Sequence, residues 1–247
     1  MQTRPWRMLR GDVVAFGDVE TEEIDPQGTA QAALEGDGIR LHGAGWRLVK
    51  RLLDVVLSLT LILLTLPLML LIALAITAES RGPLFFVHRR MGKGRVPFGL
   101  LKFRTMVPDA EERLEAHLAE HPEHLAEWRQ YYKLRDDPRI TRVGRLLRKS
   151  SLDELPQLFN ILRGDMSVVG PRAIVRDEVP RFERYADTML SVKPGLTGLW
   201  AVSGRNDVTQ QHRAVLEYRY VTDWSLLLDL WILFRTIPAV IRGHGAY

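Results

Sequence analysis

From Val55 to Ala78 the chain runs for 24 residues without a charged side chain, VVLSLTLILLTLPLMLLIALAITA. An apolar run of that length is membrane-scale when helical, and it limits the folds open to the chain more than any other feature. The mean hydropathy of −0.08 averages this segment away. The run is too long and starts too late to be a secretory signal. Pro67 sits at its centre, where a missing N–H kinks or breaks a helix. Each arm is then about 12 residues, about 18 Å of helix, short of the ~30 Å apolar core of a bilayer. Both flanks are basic: Arg47, Lys50 and Arg51 before it, Arg81, Arg89, Arg90, Lys93 and Arg95 after it. Basic flanks tend to stay in the cytoplasm, so a re-entrant kinked helix is favoured. A spanning helix with snorkelling basic ends is the competing arrangement. Asp54 is placed to pair with Lys50 or Arg51 one turn back.

Charge divides the rest. Residues 1–45 hold four arginines against eight Asp and Glu, whereas the remaining 202 residues are net basic. A basic body suggests an anionic partner: phosphorylated substrate, anionic lipid or nucleic acid. Nucleic acid is the weakest of these, because no recognised binding motif accompanies the charge. The absence of cysteine excludes disulfide frameworks, thiolate metal sites and Cys nucleophiles. The expected organisation is a mobile acidic extension over 1–45, a membrane helix over 46–80 and a cytoplasmic catalytic domain over 81–247.

Two short strands are expected around the turn Met91–Arg95 within residues 84–106. A polar helix should open at Pro108-Asp109 and be interrupted at Pro122. A basic helix is expected over Thr141–Lys149, another from near Ser151 to about Leu162, and an amphipathic one over about Ser225–Arg242. This is a mainly α, α+β pattern.

The candidate chemistry begins at Ser150-Ser151-Leu152-Asp153-Glu154-Leu155-Pro156. Ser151-x-x-Glu154 fits a capping box, which is the plainer reading. The functional reading uses the same place: a helix start favours ionised carboxylates, an ionised Asp153 can attack phosphorus, and Glu154 can hold a divalent cation. Phosphoryl transfer also needs basic clamps. Lys102 and Arg104 alternate with Phe103 at strand spacing, Arg145 and Arg148 share a helix face, and Arg172 and Arg205 follow Gly-rich turns. Each alone reads as a solvated charge. His117, His121 and His124 share a face that can hold a metal, although a solvent-facing helix explains them better. No Walker A or GxGxxG pattern occurs.

At these residues the chain resembles the bacterial sugar transferases, the monotopic polyprenyl-phosphate glycosyl-1-phosphate transferases. The resemblance covers about 46–247. It rests on Lys50-Arg51-x-x-Asp54, the apolar run with Pro67, Gly82-Pro83 with Phe86, Arg90-x-Gly92 and Lys102-Phe103-Arg104-Thr105-Met106. It continues through Ser151-Leu152-Asp153-Glu154-Leu155-Pro156-Gln157-Leu158, Asn160-x-Leu162-x-Gly164-Asp165-Met166-Ser167 and Val169-Gly170-Pro171-Arg172. Lys193-Pro194-Gly195-Leu196-Thr197-Gly198 and Ser203-Gly204-Arg205 complete it. Ala173 and Ala201 depart from the Pro and Gln common at those positions.

The resemblance implies a re-entrant helix with both ends cytoplasmic and transfer of a hexose-1-phosphate from a UDP-hexose to undecaprenyl phosphate, releasing UMP. That is the first membrane step of exopolysaccharide or related glycan synthesis, at the cytoplasmic face of the bacterial inner membrane. Carried over by position, Asp153 is the nucleophile, Glu154 the Mg²⁺ ligand, and Lys102, Arg148 and Arg172 bind phosphate. Inner-membrane lipids are implied partners, and a homo-oligomer is compatible with the sequence. The alternatives are a nucleotide-sugar hydrolase and a non-catalytic membrane-tethered scaffold.

Overall fold

The computed structural model describes residues 44–131, 134, 137–204 and 209–242, so nearly all of the acidic extension lies outside the described residues. In chain order the elements are α1 (Ala44–Glu79), β1 (Phe85–Met91), β2 (Pro97–Phe103), α2 (Ala110–Glu120), α3 (His124–Tyr131), α4 (Arg142–Ser150) and α5 (Gln157–Arg163). There follow β3 (Ser167–Val169), α6 (Ala186–Met189), β4 (Gly195–Thr197), α7 (Leu199–Val202), α8 (Gln210–Thr222) and α9 (Leu226–Arg242). The described chain is thus mainly helical with a few strands.

The apolar run lies within α1, a 36-residue helix in which Pro67 is an internal residue. It is long and apolar enough to cross a membrane. Most of its leucines are exposed, Leu64 at 73%. Asp54, Ser58, Ile62, Met69, Ile72 and Ile76 form a buried stripe at helical spacing. The stripe is part of the core. Ile62 packs with Leu158, Ile161 and Ile232, while Met69, Ile72 and Ile76 pack with Phe103 and Leu147.

Polar contacts hold both ends of α1. Lys50 Nζ donates to Asp229 Oδ2 at 2.7 Å and to the Val169 carbonyl at 3.0 Å. Tyr220 Oη donates to Asp229 Oδ1 and Trp224 Nε1 donates to the same oxygen, at 2.9 and 3.2 Å. Arg51 donates to the Ile161 and Leu162 carbonyls at 2.5 and 2.8 Å, supplying positive charge at the C-terminal end of α5. Asp54 Oδ1 accepts from Ser167 Oγ and the Val168 N–H, both at 2.9 Å. Of the pairs expected for Asp54, only the one with Lys50 forms, at 3.8 Å. At the far end Glu79 accepts the Arg142 and Val143 N–H groups at 2.7 and 2.9 Å, holding the start of α4.

The β1–β2 hairpin forms as expected, with Phe86 opposite Lys102 and His88 opposite Leu100. α2 and α3 are separated at Pro122, and α4 opens at Thr141, whose hydroxyl accepts the Gly144 N–H at 2.9 Å. The helix expected from Ser151 to Leu162 is instead two pieces. Ser151 adopts left-handed φ +57° and closes α4, residues Leu152–Glu154 make one 3₁₀ turn, and Pro156 precedes α5. Pro156 lacks the N–H that a single through-running helix would need. The parallel pair β3–β4 lies beside it. Gly170 and Gly195 approach so closely there that a Cβ on Gly195 would lie 2.1 Å from the Gly170 nitrogen.

The Lys50–Asp229 pair is tested by two substitutions. Lys50→Met leaves the Asp229 carboxylate buried without its cation and should cost about 3 kcal/mol. The double variant Lys50→Met/Asp229→Leu should recover much of the loss. The readout is the thermal unfolding midpoint in detergent.

Candidate active site

The 3₁₀ turn presents two adjacent carboxylates, and the hairpin presents the cation that meets them. Lys102 Nζ lies 3.3 Å from Asp153 Oδ2 and 2.7 Å from Glu154 Oε1. Asp153 is buried, whereas Glu154 opens onto a cleft. Burial pushes the Asp153 carboxyl above the usual carboxylate range, and Glu154 adds to this; Lys102 and Arg148 pull it down. The predicted capping box is absent, because the Ser151 side chain makes no capping bond. The left-handed Ser151 ends the preceding helix, and in the turn that follows Asp153 and Glu154 meet Lys102 of β2.

Arg148 reaches the same region from α4. Its Nε donates to Thr105 Oγ1 at 2.9 Å, and its charge acts on Asp153. This placement depends on Gly144, where a Cβ would lie 2.0 Å from the Thr105 carbonyl oxygen. Arg172 follows β3 and lines the cleft together with Lys102, Glu154, Arg90, Trp200 and Glu217. Its guanidinium sits 4.7 Å from the Trp200 ring centroid.

Two predicted basic residues go elsewhere. Arg104 lies beyond the end of β2, so the strand alternation with Lys102 does not carry to it. It turns to the end of α1 and donates to the Ser80 and Arg81 carbonyls at 2.7 and 2.9 Å. Arg145 is exposed on α4 and does not line the cleft. Arg205 lies outside the described residues. Lys50, Arg51, Asp54 and Pro67 belong to α1 and position the body rather than the cleft. His117, His121 and His124 meet across the α2–α3 break, with His117 Nε2 2.8 Å from His124 Nδ1.

Sequence reasoning missed Glu217, Arg213, Trp200 and the cleft role of Arg90. Glu217 carried a usable signal: it falls between Ala214 and Tyr220–Val221 on the apolar face of α8, where a charge is out of place. Burial pushes its carboxyl up to about 7. Arg213, one turn earlier, is brought down to about 10 by burial and by Arg172.

Magnesium commonly takes one or two carboxylates and completes its shell with substrate phosphates and water. Glu154, which opens onto the cleft with the buried Asp153 beside it, fits that pattern. Among the described residues, no group of three or more His, Cys, Asp or Glu is arranged to hold a metal without substrate oxygens.

An apolar anchor, paired carboxylates held by a lysine, and an arginine-walled cleft together outline a membrane-associated enzyme of phosphorylated substrates. The comparisons agree. The chain belongs to the bacterial sugar transferase family, whose model matches residues 45–243. It is 46% identical over 198 residues to the exopolysaccharide production protein ExoY of Sinorhizobium fredii, covering 80% of this chain and 88% of that protein. It is 48% identical over 201 residues to an undecaprenyl-phosphate galactose phosphotransferase of Salmonella typhimurium, covering 81% of this chain but 42% of that protein. It is 40% identical over 242 residues to a UDP-glucose:undecaprenyl-phosphate glucose-1-phosphate transferase of Caulobacter vibrioides, covering 94% and 85% of the two chains.

The electrostatics of the turn give a pH test. Lys102→Met removes the cation that opposes burial of Asp153, so the carboxyl should titrate higher still. The acid limb of the kcat/KM profile should move to higher pH, with overall activity reduced. An unmoved limb would remove Asp153 from the titration.

Proposed function

We propose that this chain transfers a hexose-1-phosphate from a UDP-hexose to undecaprenyl phosphate at the cytoplasmic face of the inner membrane, releasing UMP. The observation that carries the reading is the Lys102 ammonium bridging Asp153 and Glu154 at the edge of an arginine-walled cleft. The relatives named for galactose and glucose transfer to undecaprenyl phosphate support the substrate class.

In this mechanism Lys102, Arg148 and Arg172 draw the donor's diphosphate to the turn. The ionised Asp153 attacks the sugar-bearing phosphorus. An Asp–phosphorus bond forms, the bond to the bridging oxygen breaks, and UMP leaves with that oxygen. A lipid phosphate oxygen then attacks the same phosphorus and frees the Asp153 carboxylate. A phosphate monoester has its second pKa near 6, so this step needs no strong general base. Glu154, with Asp153 beside it, would hold Mg²⁺, which supplies charge neutralisation for the phosphates. Lys102 opposes the burial that raises the Asp153 carboxyl above the usual carboxylate range.

A re-entrant α1 fits this reading. Lys50, Arg51 and Asp54 at one end and Glu79 at the other contact the same body. That supports both ends lying on one side of the bilayer.

Two experiments test the proposal. The full chain in lipid nanodiscs with Mg²⁺ should release UMP from a UDP-hexose only when undecaprenyl phosphate is present. Asp153→Asn should lower the rate by at least a thousandfold. Release without lipid would favour a hydrolase; folded protein with no release from any UDP-sugar would sink the transferase. For topology, single cysteines at Gly45 and Arg81 in this cysteine-free chain should both resist an impermeant thiol reagent applied outside intact cells. Labelling of either would establish a spanning helix.

A further inference from the structure

Glu217 stands apart from the residues used above. Its side chain is 1% exposed, yet it lines the cleft that holds Lys102, Glu154 and Arg172. One oxygen, Oε1, accepts the Arg172 backbone N–H at 3.0 Å. The other, Oε2, has no hydrogen-bond partner. Glu217 makes no ion pair among the described residues, although Arg172 and Arg213 act on it electrostatically. Its neighbourhood carries further unpartnered polar atoms: Nε1 of Trp200, Nε of Arg90, and Nε and one terminal nitrogen of Arg213. The Trp200 ring is held by the guanidiniums of Arg172 at 4.7 Å and Arg213 at 4.9 Å.

Buried polar groups in folded proteins are normally paired. Most of the unpaired ones described in this chain gather on residues in and around one cleft. A carboxylate with one committed and one open oxygen is a directional acceptor. The group it suits best is a hydroxyl, which can donate to the open oxygen and needs no charge of its own. A nucleotide sugar offers hydroxyls from two rings, the hexose and the ribose. A site that bonds a hydroxyl discriminates strongly against a substrate lacking it there.

We propose that Glu217 is a specificity-determining residue of the cleft, its Oε2 accepting a hydrogen bond from a ring hydroxyl of the nucleotide-sugar donor beside the Trp200 indole. This rests on the reading of the cleft as a donor site. The raised titration range of the carboxyl agrees with a buried group lacking a close cation.

The test uses the full chain in nanodiscs with undecaprenyl phosphate, UDP-glucose and UDP-galactose as donors, and UMP as inhibitor. Glu217→Gln keeps a carbonyl for the Arg172 N–H and turns the open acceptor into a donor. It should lower kcat/KM for the preferred donor tenfold or more, mainly through KM. An unchanged inhibition constant for UMP assigns the hydroxyl to the hexose; a parallel rise assigns it to the ribose; both support the subsite. Values all within twofold of the parent, or a loss in kcat alone with KM and UMP inhibition unmoved, would overturn it. Should Glu217→Gln fail to fold by near-ultraviolet circular dichroism, Trp200→Phe replaces it. That variant keeps an aromatic ring but removes the N–H, and the same KM split is read. A parent chain that turns over no UDP-sugar defeats the transferase reading instead. Calorimetric titration of UDP-hexose into parent and Glu217→Gln then decides the subsite: a tenfold affinity difference supports it, and equal affinities or no binding to the parent overturn it.

Discussion

A lysine ammonium on the long apolar helix α1, held 2.7 Å from a carboxylate on α9, organises the rest of this molecule. Lys50 and Asp229 are 179 residues apart, and the same cluster takes in Tyr220, Trp224 and the Val169 carbonyl. Burying a charge pair is costly unless its remaining hydrogen-bonding capacity is met. Here Asp229 takes three donors and Lys50 also meets a carbonyl, so the cost is offset where four segments meet. The loop that begins at Val169 leads directly to Gly170 and Arg172. The bonds that hold α1 to the body therefore also fix the end of β3, from which the chain runs on to Arg172.

The carboxylate-bearing turn depends on a second constraint, the stop at Ser151. The left-handed residue ends α4, and in the 3₁₀ turn Leu152–Glu154 that follows both carboxylates meet the one Lys102 ammonium. Gly144 allows α4 to rest on the Thr105 backbone, so Arg148 arrives beside that turn.

Much of this was legible in the sequence because it followed local rules. The apolar run, the hairpin around Met91–Arg95, the break at Pro122 and the Thr141 start obey periodicity and capping, which act over a few residues. Lys102, Asp153 and Glu154 were found by charge type and motif. Strand alternation misled at Arg104, because the strand ends one residue earlier and the side chain follows the turn to Ser80 and Arg81. The Ser151 capping box was wrong because two helices compete for that residue, and the C-terminal stop wins. Glu217 was passed over because its importance comes from a partner 45 residues away and from a cleft that only tertiary packing creates.

The long apolar helix α1 is not a tether that could be exchanged for another. Ile62 belongs to the core beneath α5, and Met69, Ile72 and Ile76 cover Phe103 and Leu147, the residues that flank Lys102 and Arg148 in sequence. Each buried aliphatic side chain contributes about 1.5–3 kcal/mol of transfer free energy, so the stripe is a major part of the stability of a body this small. The opposite face of α1 is apolar and exposed, and so is one face of α9, with Leu227 at 78% and Phe234 at 73%. Neither face is stable against water as a contiguous surface. One sequence therefore meets two demands with the same helix: its inner stripe completes the core of the body, and its outer face is apolar enough to lie in a membrane.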